Sequence, residues 1–235
     1  MPLVLAHRGA RRRAPENTVE AFTAARRLGA DGVELDIHRC ADGHLVIHHD
    51  PIAPGLGVLA EYELAAIRAH SPTVPTLPEA LDALEGLLVN VEIKNLPPEP
   101  GYDAEHRAAP TLLELLASRG RRDRVLVTSF NIETVDRVRA LDPHVSTGFL
   151  TFAMEPAAAI GIAVEHGHGA WHPDRGTVAE DPVDIIAAAH GASLEVNVWT
   201  VNEPSELASF AEAGADGLIT DVPDVAVSVL AAPPA

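Results

Sequence analysis

The sequence predicts an α/β protein with a single domain, folded as a closed (β/α)8 TIM barrel of parallel strands. Three observations lead to this prediction: eight short apolar runs, helical patterns between them, and no linker or repeat within the 235 residues. The alternative fold, an open doubly wound sheet, would carry a Gly-rich phosphate loop after its first strand, and no such loop follows here.

The apolar runs are short and are bounded by turn residues, as strands usually are. The predicted strands are 3–7, 32–37, 87–94, 124–130, 145–150, 169–172, 194–201 and 217–220. Between them, stretches rich in Ala and Leu show the spacing of amphipathic helices, for example 18–29, 76–86, 109–120, 131–142 and 204–215.

A ninth apolar run, residues 44–49, does not fit the count of eight strands. It follows "GVELDIHR" (32–39) after only four residues, "CADG", whereas parallel neighbours need a crossover of about a dozen residues. We therefore expect a β-hairpin extension after strand 2. Its return would bring His49 to the level of Glu34 and Asp36.

Helix and domain boundaries follow from local signals. Asn17 is the expected N-cap of the first helix, with Glu20 three residues later and Gly29 as the stop. We expect the domain to span residues 1–230 and residues 231–235 to form a frayed C-terminal tail.

The composition excludes several classes of protein. A formal net charge of -17 argues against binding nucleic acid or an anionic membrane. The short apolar start is not a signal peptide, and no run is long enough to span a bilayer, so we expect a cytoplasmic protein without stable membrane association. Cys40, the single cysteine, excludes an internal disulfide. The oligomeric state is left open.

Carboxylates lie at the ends of two predicted strands, where catalysis takes place in barrels. Side chains alternate along a strand, so Glu34 and Asp36 share one face, and so do Glu92 and Lys94. Three carboxylates converging at one barrel mouth would repel each other unless a cation lay between them. The pattern predicts a site for one hard divalent ion, Mg²⁺ or Ca²⁺.

The chain resembles the glycerophosphodiester phosphodiesterase family. The resemblance rests on eight segments in family order: "AHRGA" (6–10), "PENTVEAF" (15–22), "GADGVELDIHRCADGHLVIHHD" (29–50), "VPTLPEAL" (74–81), "VNVEIKN" (89–95), "VTSFNIETV" (127–135), "VNVWTVNEP" (196–204) and "GADGLITDVPD" (214–224). They cover nearly the whole chain. Members of this family are (β/α)8 barrels, in agreement with the strand count.

The resemblance also implies roles for individual residues, by their positions in these segments. It implies an acid/base pair of histidines, metal ligands, phosphate-binding cations and a pocket-lining tryptophan. The acid/base pair is His7 and His49, and the metal ligands are Glu34, Asp36 and Glu92. The phosphate-binding cations are Arg8 and Lys94, and the tryptophan is Trp199. Asn17 and His190 match positions that we interpret as structural.

The implied activity is metal-dependent hydrolysis of glycerophosphodiesters to sn-glycerol 3-phosphate and an alcohol. One histidine would take a proton from the nucleophile and the other would protonate the leaving alkoxide. The residues leave open which histidine is the acid, whether water or the substrate's glycerol hydroxyl attacks, and which head group is preferred. Two alternatives are a phospholipase D-type reaction on lysophospholipid or sphingomyelin, and a non-catalytic barrel that only binds phosphodiesters or metal.

Two further features of the sequence stand out. The segment after His49 and Asp50 lacks the "RTT"-like stretch that family members usually carry, which affects contacts to the alcohol. Lys94 is the only lysine beside sixteen arginines. A lysine is a compact point charge and an arginine is a planar fork, so Lys94 is expected to be required for its shape as well as its charge.

Overall fold

Eight parallel strands close into a barrel in the computed structural model, which describes residues 1–120 and 124–231. In chain order the elements are β1 (Leu3–His7), α1 (Val19–Arg27), β2 (Gly32–Arg39), β3 (Leu45–Ile47), β4 (Ile52–Ala53), β5 (Gly57–Val58), a 3₁₀ turn (Leu59–Glu61), α2 (Leu64–His70), α3 (Leu77–Ala83), β6 (Leu88–Ile93), α4 (Ala108–Arg119), β7 (Val125–Ser129), α5 (Ile132–Leu141), β8 (Ser146–Thr151), α6 (Pro156–Glu165), β9 (Ala170–Pro173), α7 (Arg175–Val178), α8 (Pro182–Gly191), β10 (Glu195–Val198), α9 (Pro204–Glu212), β11 (Gly217–Thr220) and α10 (Pro223–Ala231).

The barrel is closed by its first strand. The order around it is β1, β2, β6, β7, β8, β9, β10 and β11, and β1 pairs in parallel with both β2 and β11. An open sheet would leave two edge strands unpaired, so this closure confirms the (β/α)8 prediction over the doubly wound alternative.

The predicted hairpin extension is present. β3 runs antiparallel to β2, with Ile37 opposite Ile47 and Arg39 opposite Leu45. The backbone N–H of His48 then donates to the carbonyl of Asp36 at 3.1 Å. The chain therefore returns to the barrel mouth at the height of the acidic residues, as the sequence predicted.

Alternation along β2 separates the hydrophobic layer from the site. Val33, Leu35 and Ile37 are fully buried and belong to one apolar cluster with Phe22 of α1 and Leu81 of α3. Burial of each such side chain contributes about 1.5–3 kcal/mol. The intervening residues of β2 point to the other face, toward the barrel interior.

The N-cap prediction for α1 is wrong. Thr18 caps this helix, and its hydroxyl accepts from the N–H of Ala21 at 3.2 Å. Asn17 adopts a left-handed conformation, with φ of 57°. Its side chain turns away from the helix and donates to Asp36 at 2.8 Å. The Asn17 side chain therefore binds the carboxylate of Asp36 on β2 and does not cap α1.

Other boundaries agree with the sequence to within a few residues. β10 ends at Val198, three residues before the predicted end, and Trp199 makes only an isolated bridge to Asp174. α10 includes Ala231, the first residue of the predicted tail, and the rest of that tail lies outside the described residues. Among residues 1–120 and 124–231, no helix combines the length and hydropathy of a membrane span.

Candidate active site at the barrel mouth

Three buried carboxylates meet where β2 and β6 end. Glu34 and Asp36 lie on one face of β2, and Glu92 lies opposite Asp36 on β6. One oxygen from each residue lies within 4.8 Å of the others. All three are at most 7% exposed. The strand alternation therefore produces the convergence that the sequence predicted.

The carboxylates perturb one another because water is excluded. Burial, reinforced by repulsion from Asp36 and Glu92, raises the pKa of Glu34 well above its usual range. Burial likewise raises the pKa of Glu92 to about 7. Asp36 differs: burial opposes its charge, but Lys94 and Arg8 together lower its pKa.

This cluster fits a hard divalent cation. The donor set consists of carboxylate oxygens, which Mg²⁺ and Ca²⁺ prefer. A dipositive ion would stabilise the charged forms of Glu34 and Glu92, which burial and mutual repulsion disfavour. Asn17 also presents a buried side-chain carbonyl oxygen that has no hydrogen-bond partner among the described residues.

Arg8 is held beside the carboxylates by a tight turn. Its Nε lies 3.3 Å from Asp36, and its guanidinium donates to Glu16 at 2.9 Å. Gly9 follows with φ of 81°, and a Cβ there would lie 2.8 Å from the backbone of Ala21. Only glycine allows the turn to pack this closely against α1, and that packing positions Arg8.

Lys94 lies on the other side of the cluster. Its ammonium donates to Glu92 at 2.8 Å and lies 3.5 Å from Asp36. It also lies 5.9 Å from the ring centre of Phe130. Burial opposes its charge, but Glu92 and Asp36 raise its pKa above the usual value, so Lys94 stays protonated.

His7 ends β1 and is oriented by a carboxylate from the far end of the chain. Its Nδ1 donates to Asp221 at 2.7 Å, and its Nε2 lies 3.9 Å from Glu34. Burial opposes ionisation of Asp221, but the hydrogen bond from His7 lowers the pKa of Asp221 to about 2. The carboxylate thus places the imidazole proton on Nδ1 and leaves Nε2 directed at the cluster.

His49 comes from the hairpin return. Its Nδ1 donates to Asp50 at 2.7 Å, and its backbone carbonyl accepts from His38 at 3.2 Å. Burial lowers the pKa of the His49 imidazole. His48 points elsewhere, toward the carbonyl of Asp50. Of these two histidines, His49 lines the cavity at the barrel mouth.

A cavity of about 130 Å³ connects these groups. Seven of the eight residues singled out from the sequence line it: His7, Arg8, Glu34, His49, Glu92, Lys94 and Trp199. The eighth, Asp36, lies directly beneath, in contact with Arg8 and Lys94. The Trp199 indole N–H donates to the carbonyl of His172 at 3.0 Å, which fixes the ring at the wall.

Sequence reasoning assigned no role to several residues at this mouth. Asp221 lies in the segment "GADGLITDVPD", but its spacing from His7 carries no signal of contact. Phe130 was also missed, although it follows β7 and stacks edge to face on Trp199 with centres 5.6 Å apart. The signal for Phe130 was its position at a strand end.

Other charged side chains have partners outside the cavity. Arg11 pairs with Glu16 at 2.6 Å, and Arg13 pairs with Asp224 at 2.5 Å. His190, interpreted as structural, contacts Asp216 at 2.9 Å.

Comparison with known proteins agrees with this geometry. The model of the glycerophosphoryl diester phosphodiesterase family matches residues 7–225. A glycerophosphodiester phosphodiesterase of Caldanaerobacter subterraneus is 28% identical over 246 residues, covering 97% of each chain. One of Bacillus altitudinis is 28% identical over 249 residues, covering 97% of this chain and 98% of its own.

A solved structure of a phosphodiesterase also has the fold of this chain. An Oleispira antarctica phosphodiesterase, in complex with the product sn-glycerol-3-phosphate, is 25% identical. It superimposes with a TM-score of 0.85, covering 99% of this chain and 98% of its own.

Proposed function

Because the chain belongs to the glycerophosphoryl diester phosphodiesterase family, we propose that it hydrolyses glycerophosphodiesters to sn-glycerol 3-phosphate and an alcohol. One observation carries this proposal: two histidines and two cations surround the buried carboxylate cluster in a single cavity. Phosphodiester cleavage requires charge neutralisation and two proton transfers, and these residue types supply both.

Glu34, Asp36 and Glu92 would hold one divalent cation, Mg²⁺ or Ca²⁺. When bound there, such an ion supplies Lewis-acid neutralisation of a phosphoryl oxygen. Arg8 and Lys94 bind the other non-bridging oxygen and strengthen their contacts as negative charge builds in the transition state. Lys94 can do this because Glu92 and Asp36 keep it protonated.

The two imidazoles move the protons. One accepts a proton from the nucleophile, either water or the substrate's own glycerol hydroxyl, and the other donates a proton to the leaving alkoxide. General acid–base catalysis of this kind raises the reaction rate by about 10²–10⁴-fold. Asp221 accepts from Nδ1 of His7 and Asp50 accepts from Nδ1 of His49, so each ring presents Nε2 to the cavity. The ring that acts as the base is neutral, and the ring that acts as the acid is an imidazolium with a second proton on Nε2.

The test is a product assay on purified protein supplied with Mg²⁺ or Ca²⁺. In parallel incubations of glycerophosphocholine, glycerophosphoethanolamine and lysophosphatidylcholine, the released choline or ethanolamine is measured together with sn-glycerol 3-phosphate. We expect this product from the two glycerophosphodiesters. Turnover of lysophosphatidylcholine alone would instead support the phospholipase D-type reaction.

Variants test the roles of the histidines. His7→Ala and His49→Ala are each expected to lower kcat by about 10²–10⁴-fold while the melting temperature stays close to wild type. His44→Ala is the matched control, since that imidazole is half exposed on the hairpin turn. Near-wild-type kcat in either site variant would refute the acid/base assignment.

A further inference from the structure

A second, larger cavity of about 340 Å³ lies directly outside the inner one. The two share His49, Glu92, Lys94, Phe130 and Trp199 as lining residues, so they form one continuous channel. A phosphodiester at the shared wall would place one ester group in the inner cavity and the other in the outer one.

The wall of the outer cavity is aromatic. Trp199 stands between two phenylalanines, with its ring centre 5.6 Å from that of Phe130 and 6.2 Å from that of Phe152. Phe152 is 69% exposed, so its ring is accessible to a ligand in this cavity. The Lys94 ammonium lies over the Phe130 ring, so the rings that remain for a ligand in this cavity are those of Trp199 and Phe152.

Carboxylates complete the same cavity. Glu99 lines it, and no side chain among residues 1–120 and 124–231 pairs with its carboxylate. Its backbone is fixed by a turn, because its N–H donates to Leu96 at 2.8 Å and its carbonyl accepts from Tyr102 at 3.1 Å. Asp50 also lines the cavity, and its carboxylate accepts a hydrogen bond from His49. Aromatic faces and an unpaired carboxylate both attract a cation.

We propose that the outer cavity binds the alcohol half of the substrate and selects alcohols that carry a fixed positive charge, of which choline is the type. This inference rests on the proposed function. A quaternary ammonium has no N–H to donate and is recognised by aromatic faces and nearby negative charge. An anionic head group would be repelled by Glu99 and Asp50, and a neutral polyol would gain nothing from the ring faces.

The Lys94 ammonium does not oppose this selection. Its charge is compensated by Glu92 at 2.8 Å and Asp36 at 3.5 Å, on the inner side of the channel. It therefore contacts the phosphate, while the head group lies beyond it against Trp199 and Phe152.

The test separates charge from shape. Glycerophosphocholine is compared with its carbon isostere, glycerophospho-3,3-dimethylbutanol, which has the same outline and no charge. We expect wild-type kcat/KM to favour the choline ester by about fivefold to thirtyfold. Glu99→Gln and Phe152→Leu are each expected to lower this ratio by about twofold to fivefold. Glu114→Gln, on the exposed face of α4, and Val183→Ala are matched controls that should leave it unchanged.

The outcomes are distinguishable. If neither ester is hydrolysed, the proposed function fails. If both are hydrolysed at equal kcat/KM, the head-group inference is overturned while the proposed function stands. A wild-type ratio that persists in Glu99→Gln and Phe152→Leu would overturn the assignment of the outer cavity.

Discussion

Replacing Asp221 with asparagine is expected to reverse the tautomer of His7 without changing the size of any side chain. Asp221 uses both oxygens: one accepts from His7 Nδ1 at 2.7 Å and the other accepts from the Asn202 amide at 2.9 Å. Asparagine must present an NH₂ group to one of these two donors.

Asn202 cannot turn to accept that NH₂ group. Its carbonyl oxygen already accepts from the N–H of residue 221 at 2.9 Å and from Thr220 at 3.2 Å. The new NH₂ must therefore face His7, which has to accept at Nδ1 and carry its proton on Nε2. Nε2 still faces the cavity, but in the neutral ring it then carries the proton and can no longer accept one.

Both the catalytic and the stability effects can be estimated. Loss of one correctly oriented acid/base group lowers kcat by about 10²–10⁴-fold. The pKa of Asp221 falls from 3.8 to about 2, burial opposing the charge and the bond from His7 favouring it. A lowered carboxyl pKa stabilises the fold above pH 3.8, and this contribution is lost as pH falls through 2. At pH 7 it amounts to about 2–3 kcal/mol, so the melting temperature drops by roughly 4–12 °C.

Three measurements check this prediction: kcat with glycerophosphocholine, the melting temperature, and the His7 tautomer by ¹⁵N NMR. Asp216→Asn is the control, because it breaks a comparable contact to His190 at the amino-terminal end of the strands. We expect that control to lose stability and keep its kcat. An Asp221→Asn protein with wild-type kcat, or with the His7 proton still on Nδ1, would refute the reasoning.

Three other perturbations test the cluster beneath the histidines. Lys94→Arg is expected to lower kcat/KM at least about tenfold, because a planar guanidinium replaces the compact ammonium that lies between Glu92 and Asp36. The Lys94 side chain is only 10% exposed, so the larger group has little room. Wild-type kcat/KM in this variant would contradict the prediction. Treatment with EDTA should abolish activity and Mg²⁺ or Ca²⁺ should restore it. Calorimetry should show cation affinity rising with pH toward about 7, where Glu92 loses its proton, and full activity in excess EDTA would rule out the metal. Glu34→Gln should raise the melting temperature of the EDTA-treated protein at pH 8 by roughly 2–4 °C. Burial raises the pKa of the Glu34 carboxyl, so its negative charge increasingly destabilises the wild-type fold above pH 4.5. An unchanged or lower melting temperature of Glu34→Gln would contradict this.

The carboxylate cluster could be predicted because it depends on local geometry. Glu34 and Asp36 are two residues apart in one strand, so the period of the strand alone places them on one face. The four residues between β2 and the next apolar run allowed only a hairpin. This short connection is enough to predict that His49 lies at the barrel mouth.

Contacts that depend on long-range packing were beyond sequence reasoning. Asp221 lies 214 residues from His7, and only closure of the barrel through β1 and β11 brings them together. Asn17 has the composition of a helix cap, and local propensity favours that role. Asp36, from a strand 19 residues away, binds its amide instead, and Thr18 takes over the cap.

Pairing of the first strand with the last has a consequence for synthesis of the protein. A ribosome adds about 5–20 residues per second, so the 214 residues separating His7 from Asp221 take about 10–40 s to make. During that time β1 has no β11 to pair with, and the His7 imidazole has no carboxylate to orient it. The His7–Asp221 hydrogen bond therefore forms only after β11 has left the ribosome.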